Sequence, residues 1–322
     1  MATMTFRQLG SSGLTVSTVG LGCNTFGSTV PAGDVLGLVR TAIEAGITLF
    51  DTADTYGSRP GEGEELLGAA IRELGMRDEV VLATKFGMDA RGLNGEDHGV
   101  RASRTYVRRA VEGSLRRLQT DHIDLYQLHH PAPFTPVAET LDVLTDLVRE
   151  GKVRYIGCSN VAGWWLVDAD WTARSQGLLP FVSVQNEYSL LNRSIEAEVV
   201  PAAAHVGAGV LPFFPLASGL LTGKYRRGEP APAGTRLTRR PDRLAAADFD
   251  RIEALQRVAA QAGVDLLHIA LGGLAAQPEV ASVIAGARTP QQLQANVAAG
   301  LWEPEAAHLV AIDEAAPGPP EA

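Results

Sequence analysis

The 322-residue chain has few cysteines, little positive charge and no long apolar segment. Cys23 and Cys158 are too few and too far apart for a disulfide framework or a cysteine-rich zinc site, so we expect a reducing cytoplasm. The N-terminus MATMTFRQLG lacks an apolar signal core, and no run of about 18 apolar residues occurs, which argues against export or a membrane span. Since there is also no HExxH segment, we expect no metal.

Positive charge is scarce relative to negative charge, and the formal net charge is −9 at pH 7. This balance argues against nucleic acid and an anionic membrane surface as main partners, but it is compatible with a small anionic ligand held by local cations. With 45% hydrophobic residues, the chain can bury the core of one large domain.

Short apolar runs alternate with longer amphipathic patterns along the whole chain. We predict strands at 18–22, 48–51, 80–85, 123–129, 155–159, 182–185, 210–214 and 281–284. We predict helices at 33–45, 63–74, 103–118, 137–150, 163–176, 195–204, 245–276 and 290–299. This α/β order predicts a single-domain (β/α)8 TIM barrel over residues 1–313, with an open doubly wound sheet as the alternative, because alternation alone does not prove closure.

Three segments lie outside this repeat. The residues before the first barrel strand predict an N-terminal β-hairpin that turns at Ser12 and Gly13. The segment 228–243 is rich in Pro, Gly and Arg and is long for a barrel loop, which is typical of functional or mobile loops. Residues 314–322 are expected to form a disordered tail.

Polar side chains follow several of the predicted strands, at the end where barrel enzymes carry their chemistry. The stretch FDTADTYG supplies Asp51 and Tyr56, ATKFG supplies Lys85, and LYQLHHP supplies His129 and His130 just before Pro131. A nearby lysine lowers the pKa of a tyrosine, and a carboxylate compensates a buried lysine, so such a set can deliver a proton to an oxygen. Each residue alone also fits a structural role, as a turn cap, a half-buried aromatic or a strand-end lysine.

Many ordered blocks of the sequence resemble the aldo-keto reductase family. They are GLGCNTFG (20–27), FDTADTYG (50–57), EELLGAAI (64–71), ATKFG (83–87), DHIDLYQLHHP (121–131), GKVRYIGCSN (151–160), VQNEYSLLNR (184–193), FPLASGLLTGKY (214–225) and GARTPQQLQANV (286–297). The resemblance implies NADPH-dependent reduction of a small aldehyde or ketone, with Asp51, Tyr56, Lys85 and His129 as catalytic residues. His130 has the other orientation along the strand, and a local structural role is expected for it.

The resemblance also implies the residues that hold the cofactor, with NADPH favoured over NADH. Those implied for the nicotinamide end, together with Asp51, are Ser159, Asn160, Gln185 and Phe213. Those implied for the pyrophosphate and the adenosine end are Leu216, Ser218, Gly219, Lys224, Gly286, Arg288, Gln292 and Asn296. Gln292 departs from the family, in which many members have an arginine there for the 2′-phosphate, and Arg288 is the nearby substitute. The segment GLLTGKY lacks the spacing of a phosphate loop, and no GxGxxG follows the first strand.

Aromatic and apolar residues in the loops after the strands are candidates for a substrate pocket, although each could equally be ordinary packing. They are Phe26, Met88, Phe134, Trp164 and Trp165. Two other functions stay open. One is a nucleotide-binding regulatory protein similar to potassium channel β subunits, and the other is an aldolase-type enzyme with Lys85 as a Schiff base.

Overall fold

The computed structural model describes residues 3–319. Its strands are β1 Phe6–Gln8, β2 Thr15–Ser17, β3 Val19–Gly22, β4 Leu49–Asp51, β5 Val81–Phe86, β6 Ile123–Leu128, β7 Val153–Ser159, β8 Ser183–Gln185, β9 Gly209–Val210 and β10 Val283–Gly286. Its helices are α1 Ala32–Glu44, α2 Glu62–Leu74, α3 Arg104–Leu118, α4 Val137–Arg149, α5 Gly163–Gln176, α6 Val199–Val206, α7 Pro241–Ala245, α8 Phe249–Ala262, α9 Leu266–Ala275, α10 Pro290–Gly300 and α11 Ala306–Ala315.

Eight parallel strands form one sheet in the order β10-β3-β4-β5-β6-β7-β8-β9. The two edges meet through a parallel bridge between Val210 and Val280, and the Ala281 amide donates to the Val210 carbonyl at 3.0 Å. These contacts close the sheet, so the predicted (β/α)8 barrel is confirmed and the open sheet is excluded. The strands are buried on both faces because helices cover the outside and side chains fill the inside.

The predicted N-terminal hairpin is also confirmed, since β1 and β2 pair antiparallel and the Leu9 amide donates to the Leu14 carbonyl at 2.7 Å. Its buried residues Leu9, Leu14 and Val16 pack against the interior side chains of the barrel. The hairpin therefore closes the amino-terminal end of the barrel and leaves the carboxyl-terminal end, here called the mouth, for loops and ligands.

The structure differs from the predicted helices in two places. The single helix predicted at 245–276 is two helices, α8 and α9, which meet at 90°. The break occurs because Gly263 has a left-handed φ of 68° and its amide caps α8. The helix predicted at 195–204 begins as a 3-10 turn, Ser194–Ala197, before α6.

The end of the folded chain lies further along than residue 313. Helix α11 includes residues 314 and 315, and Ala316 is fully buried, because a capping box between Glu305 and His308 starts a helix that packs on α8 and α9. Residues 314–316 thus belong to the fold rather than to the expected tail, and residues 320–322 lie outside the described residues. Within residues 3–319 no single helix has the length and hydropathy of a membrane span, and only the bent pair α8 and α9 reaches them jointly.

Candidate active site

Four ionisable side chains meet at the mouth, contributed by three neighbouring strands. Lys85, near the end of β5, donates from Nζ to Asp51 Oδ2 at 2.6 Å and to the Thr52 carbonyl at 2.8 Å. The ammonium lies 5.1 Å from the centroid of the Tyr56 ring, and that ring lies edge-on to His129 with 6.0 Å between centroids. The structure thus brings together the four residues that the sequence predicted to be catalytic.

A tight turn and a close helix hold Tyr56 in this position. The Tyr56 amide donates to the Ala53 carbonyl, and the Gly63 amide at the start of α2 donates to the Tyr56 carbonyl at 2.9 Å. A side chain on Gly63 would approach the Tyr56 Cβ to 3.1 Å, so the absence of a side chain there allows α2 to pack directly under the tyrosine.

Burial and charge act against each other at Lys85 and Tyr56. Burial alone lowers the pKa of Lys85, but the charge of Asp51 and the contact with Tyr56 hold that pKa above its usual value of 10.5. Burial raises the pKa of Tyr56 above 10.0, and the Lys85 charge offsets only part of this. Lys85 lowers the tyrosine pKa as expected, yet the net shift is upward, so both groups keep their protons at neutral pH.

The two adjacent histidines occupy different environments. His129 is 7% exposed, and burial followed by the charges of Lys85 and His130 lowers its pKa to about 2. His130 is exposed and stacks on His129 at 5.7 Å between ring centroids. His129 is therefore a neutral imidazole, and its Nδ1 is buried without a hydrogen-bond partner in the described chain. Its Nε2 is thus the ring nitrogen available to a ligand at the mouth.

Asp51 is held by two glutamines as well as by Lys85. Gln127 and Gln185 donate from Nε2 to Asp51 Oδ1 at 3.1 and 2.9 Å. Gln127 was not among the residues predicted from the sequence. The signal was present, because Gln127 lies two residues before His129 on the same strand and side chains alternate with a period of two. With both carboxylate oxygens bonded, Asp51 is fixed in position and faces Lys85.

Three residues predicted to bind the cofactor lie at the ends of β7 and β8, next to Asp51. They are Ser159, Asn160 and Gln185, and they are hydrogen-bonded to one another. Ser159 Oγ donates to the Gln185 backbone carbonyl at 2.7 Å, and the Asn160 backbone N–H donates to the same oxygen at 3.0 Å. Asn160 Nδ2 donates to Ser159 Oγ and to the His129 carbonyl, so its Oδ1 is the atom left to accept a bond from a ligand. Asn160 has a left-handed φ of 57°, a conformation that asparagine tolerates better than most residues.

The chain after β9 adds a strained segment. Phe213 is half-buried, its amide donates to the Asn186 carbonyl at 3.1 Å, and its ring contacts Phe214. Phe214, Ala217 and Ser218 all have positive φ although none is glycine. Such backbone costs about 1–3 kcal/mol per residue and persists where a loop must keep a set shape. The predicted residues Leu216, Ser218 and Gly219 lie in this loop, and the Lys224 ammonium lies close to Gly219.

Cations without acidic partners lie around this loop. Arg236 stacks over the Phe214 ring at 4.8 Å, and loss of hydration followed by the like charges of Arg243 and Arg240 lowers its pKa. Arg236, Arg239, Arg240 and Arg243, here called the arginine cluster, form no ion pair with described residues, whereas nearby Arg227 binds two acids. The sequence reasoning noted this segment but did not include its arginines.

The residues predicted for the adenosine end lie around the start of α10. The Arg288 amide donates to Gln292 Oε1 at 3.0 Å, and the Arg288 guanidinium donates to the Gly234 carbonyl at 3.1 Å, which ties the 228–243 segment to this helix. Asn296 Nδ2 donates to the Gly286 carbonyl at 3.2 Å. These contacts bring Gly286, Arg288, Gln292 and Asn296 together in one region.

The predicted pocket residues do not form one set. Phe26 is fully buried in the main core, and Trp165 stacks on Phe181, so neither offers a free ring to a substrate. Met88 is half-buried directly after β5, at the mouth. Phe134 and Trp164 are 75% and 65% exposed. Of the five, Met88 has the position and burial expected of a pocket wall.

Comparison with known proteins gives consistent matches along the chain. The model of the aldo/keto reductase family matches residues 18–316. The chain is 38% identical to the uncharacterized oxidoreductase YrpG of Bacillus subtilis, over 98% of this chain and 97% of that protein. It is 35% identical to the aldo-keto reductase YhdN of the same species, over 91% and 87%. It is 33% identical to a probable voltage-gated potassium channel subunit beta of Oryza sativa, over 92% and 91%.

Proposed function

The chain belongs to the aldo/keto reductase family, and we propose that it is an oxidoreductase that reduces small aldehydes or ketones with NADPH. The observation that supports this most directly is the contact set at the mouth, where the Lys85–Asp51 ion pair lies against Tyr56 and beside His129. A proton donor, a fixed cation and a neutral imidazole at one point are what carbonyl reduction requires of the protein.

The residues around the mouth fit a nicotinamide cofactor. Asn160 Oδ1 and the Ser159 hydroxyl would hold the carboxamide, and the half-buried ring of Phe213 would stack on the nicotinamide. The strained loop with Ser218 and Gly219 would follow the pyrophosphate. When bound, the cofactor supplies the hydride, and the protein supplies position and electrostatics.

The choice of NADPH over NADH is supported by Arg288 at the start of α10 and by the arginines of the segment that Arg288 contacts. The arginine cluster has no acidic partner in the described chain, and Arg288 joins the same segment to α10. Unpaired guanidinium groups are the side chains that bind a phosphate most effectively. Gln292 supplies no charge, so in our proposal the extra phosphate of NADPH relies on these arginines.

The chain's own residues would act on the substrate as follows. Tyr56, which keeps its proton because burial raises its pKa, donates that proton to the carbonyl oxygen as negative charge develops there. Lys85 stabilises the resulting phenolate, and Asp51 holds Lys85 in place. His129 is neutral, so it donates a hydrogen bond from Nε2 to the carbonyl oxygen and does not compete as a proton source.

The same geometry argues against an aldolase. A Schiff base needs an uncharged amine, whereas Lys85 is fully buried, bonded to Asp51 and has a raised pKa. One of the relatives is a probable potassium channel subunit, so a regulatory protein is the second candidate function for this chain. Binding of NADPH without reduction of any carbonyl would favour that second candidate.

The proposal is tested by following NADPH oxidation with a panel of aldehydes and ketones that includes 4-nitrobenzaldehyde and methylglyoxal. We expect turnover with several members of the panel and a lower KM for NADPH than for NADH. Tight cofactor binding with no turnover across the panel would contradict the enzyme and leave the regulatory candidate. A lower KM for NADH would contradict only the choice of cofactor.

A further inference from the structure

A buried polar cluster lies behind the turn that carries Tyr56, and it is separate from the four candidate catalytic residues. Asp54 and Glu64 are both 0% exposed. Asn94 Nδ2 donates to Asp54 Oδ2 at 2.8 Å and lies 3.2 Å from the Tyr106 hydroxyl. Because Asn94 belongs to the loop between β5 and α3, this hydrogen bond joins that loop to the turn.

The two buried acids are compensated differently. Glu64 Oε2 accepts from Arg117 Nε and Glu64 Oε1 accepts from Thr84 Oγ1, both at 2.6 Å. Asp54 has no cation bonded to it in the described chain. Burial, followed by the negative charge of Glu64, raises the pKa of Asp54 to about 8. The polar groups that face Asp54 from the surrounding elements are Lys85 of β5, Glu64 of α2, Arg117 and Tyr106 of α3, Tyr126 of β6, and Asn94.

Two unpaired atoms indicate where a proton belongs. Asp54 Oδ1 and Asn94 Oδ1 are both buried, and neither has a hydrogen-bond partner within residues 3–319. While Asp54 is ionised, its Oδ1 is a buried acceptor without a donor and its charge lies beside that of Glu64; the unsatisfied group costs about 1–3 kcal/mol. A proton on Oδ1 removes this charge, while Oδ2 still accepts from Asn94 Nδ2.

The position of Asn94 gives this pair a consequence at the mouth. Its loop, residues 87–103, begins directly after β5, the strand of Lys85, and includes the pocket candidate Met88. The Asp54 amide in turn donates to the Lys85 carbonyl at 3.3 Å. Asp54 and Asn94 therefore connect the wall of the substrate pocket to the segment that places Tyr56.

We propose that Asp54 is a positioning residue that, as a neutral carboxylic acid, holds Asn94 and thereby keeps the loop 87–103 in place at the substrate pocket. Loss of its proton leaves a buried charge beside Glu64 without a bonded cation among the described residues, so opening of the loop to water is favoured. This inference rests on the proposed reductase activity for its effect on KM, but its effect on the loop is independent of any activity.

The first test compares wild type with Asp54→Asn as pH increases from about 7 to 9.5, a window around the Asp54 pKa of about 8. Asparagine keeps an oxygen that can accept from Asn94 Nδ2 and cannot ionise, so it should keep the wild-type KM at pH 7. The wild-type KM for the carbonyl should then increase by up to roughly tenfold, the effect of one buried hydrogen bond. The KM of Asp54→Asn should stay level, and kcat should change similarly in both proteins. Parallel KM profiles would overturn the proposal.

The second test needs no activity. Arg91 is exposed within the loop, so trypsin cleavage there reports loop opening. The cleavage rate of wild type, divided by that of Asp54→Asn, should be near one at neutral pH and increase at alkaline pH. Asn94→Ala should be cleaved faster than wild type at both pH values. A ratio that stays constant with pH, or unchanged cleavage in Asn94→Ala, would refute the anchor even if the chain reduces no carbonyl.

Discussion

Replacing Asp54 with asparagine should stabilise the protein, and increasingly so as the pH is raised. The folded pKa of Asp54 is about 8, far above the usual carboxyl value of 3.8, because burial and Glu64 disfavour the carboxylate. Between these two values the native state keeps a proton that the unfolded chain has released. Raising the pH therefore favours unfolding of the wild type, whereas Asp54→Asn lacks this contribution.

The magnitude follows from the size of the shift. Within the window, each pH unit costs the wild type about 1.4 kcal/mol of unfolding free energy relative to the variant. From about pH 5 to pH 7 the difference between the two proteins should therefore grow by roughly 3 kcal/mol. Above the folded pKa of about 8 it should level off, because both states of the wild type are then deprotonated.

The assay is urea denaturation at constant ionic strength, monitored by tryptophan fluorescence. The slope of unfolding free energy against urea concentration should be the same for each protein. Asp97→Asn is the matched control, because Asp97 lies in the loop that contacts Asp54 through Asn94, and its hydrogen bonds to Arg101 and the Gly99 amide lower its pKa. A carboxyl with a lowered pKa is ionised in both the folded and the unfolded state above about pH 5. The difference in unfolding free energy between wild type and this control should therefore be constant from about pH 5 to pH 7. A constant difference for Asp54→Asn as well would refute a neutral buried Asp54.

Three further predictions concern the mouth and the cofactor end. Gln292→Arg should tighten NADPH relative to NADH by roughly tenfold, as one added charge-assisted contact would, in fluorescence titrations with both cofactors; an unchanged ratio would remove Gln292 from the site. Gln127→Leu should lower unfolding free energy by about 1–3 kcal/mol, since Asp51 loses a buried donor, and should reduce kcat; full stability and activity would show that Gln185 suffices. The pKa of His129 is about 2, so its protonation should not affect kcat/KM near the usual imidazole value of 6.5, and the wild type and His129→Gln should have pH profiles of the same shape there. A step near the usual imidazole value of 6.5 that is present in the wild type and absent from His129→Gln would mean that the imidazole titrates.

The fold was largely predictable because its signals are local. Apolar runs and helical periods placed all eight barrel strands, and closure followed once the edges were seen to meet at Val210 and Val280. The break at Gly263 was missed because helical patterns lie on both sides of it, and a single glycine within such a pattern does not by itself show that the helix ends. Helix α11 was not predicted because Ile312 is its one buried residue, which leaves a weak apolar pattern, and its place is set by packing against α8 and α9.

The site was predictable where residues follow strands, and less so where pairs form across the sequence. Position at strand ends pointed to Asp51, Lys85 and His129. The partners Asp54 and Asn94 are separated by 40 positions and meet only through the folded loop. Arg236 over Phe214 is likewise set by the path of a long segment that has no periodic pattern. The net upward pKa shift of Tyr56 depends on burial, which the sequence does not state.

The central claim is that Tyr56 gives its proton to the substrate, and one comparison addresses it directly. Tyr56→Phe and Tyr155→Phe each remove one phenol hydroxyl, the first at the mouth and the second next to Gly13 of the N-terminal hairpin. With NADPH and a good aldehyde, Tyr56→Phe should bind the cofactor with a Kd close to that of wild type but lose about 100- to 10,000-fold in kcat. Tyr155→Phe should keep the wild-type kcat. Wild-type turnover in Tyr56→Phe would contradict the account.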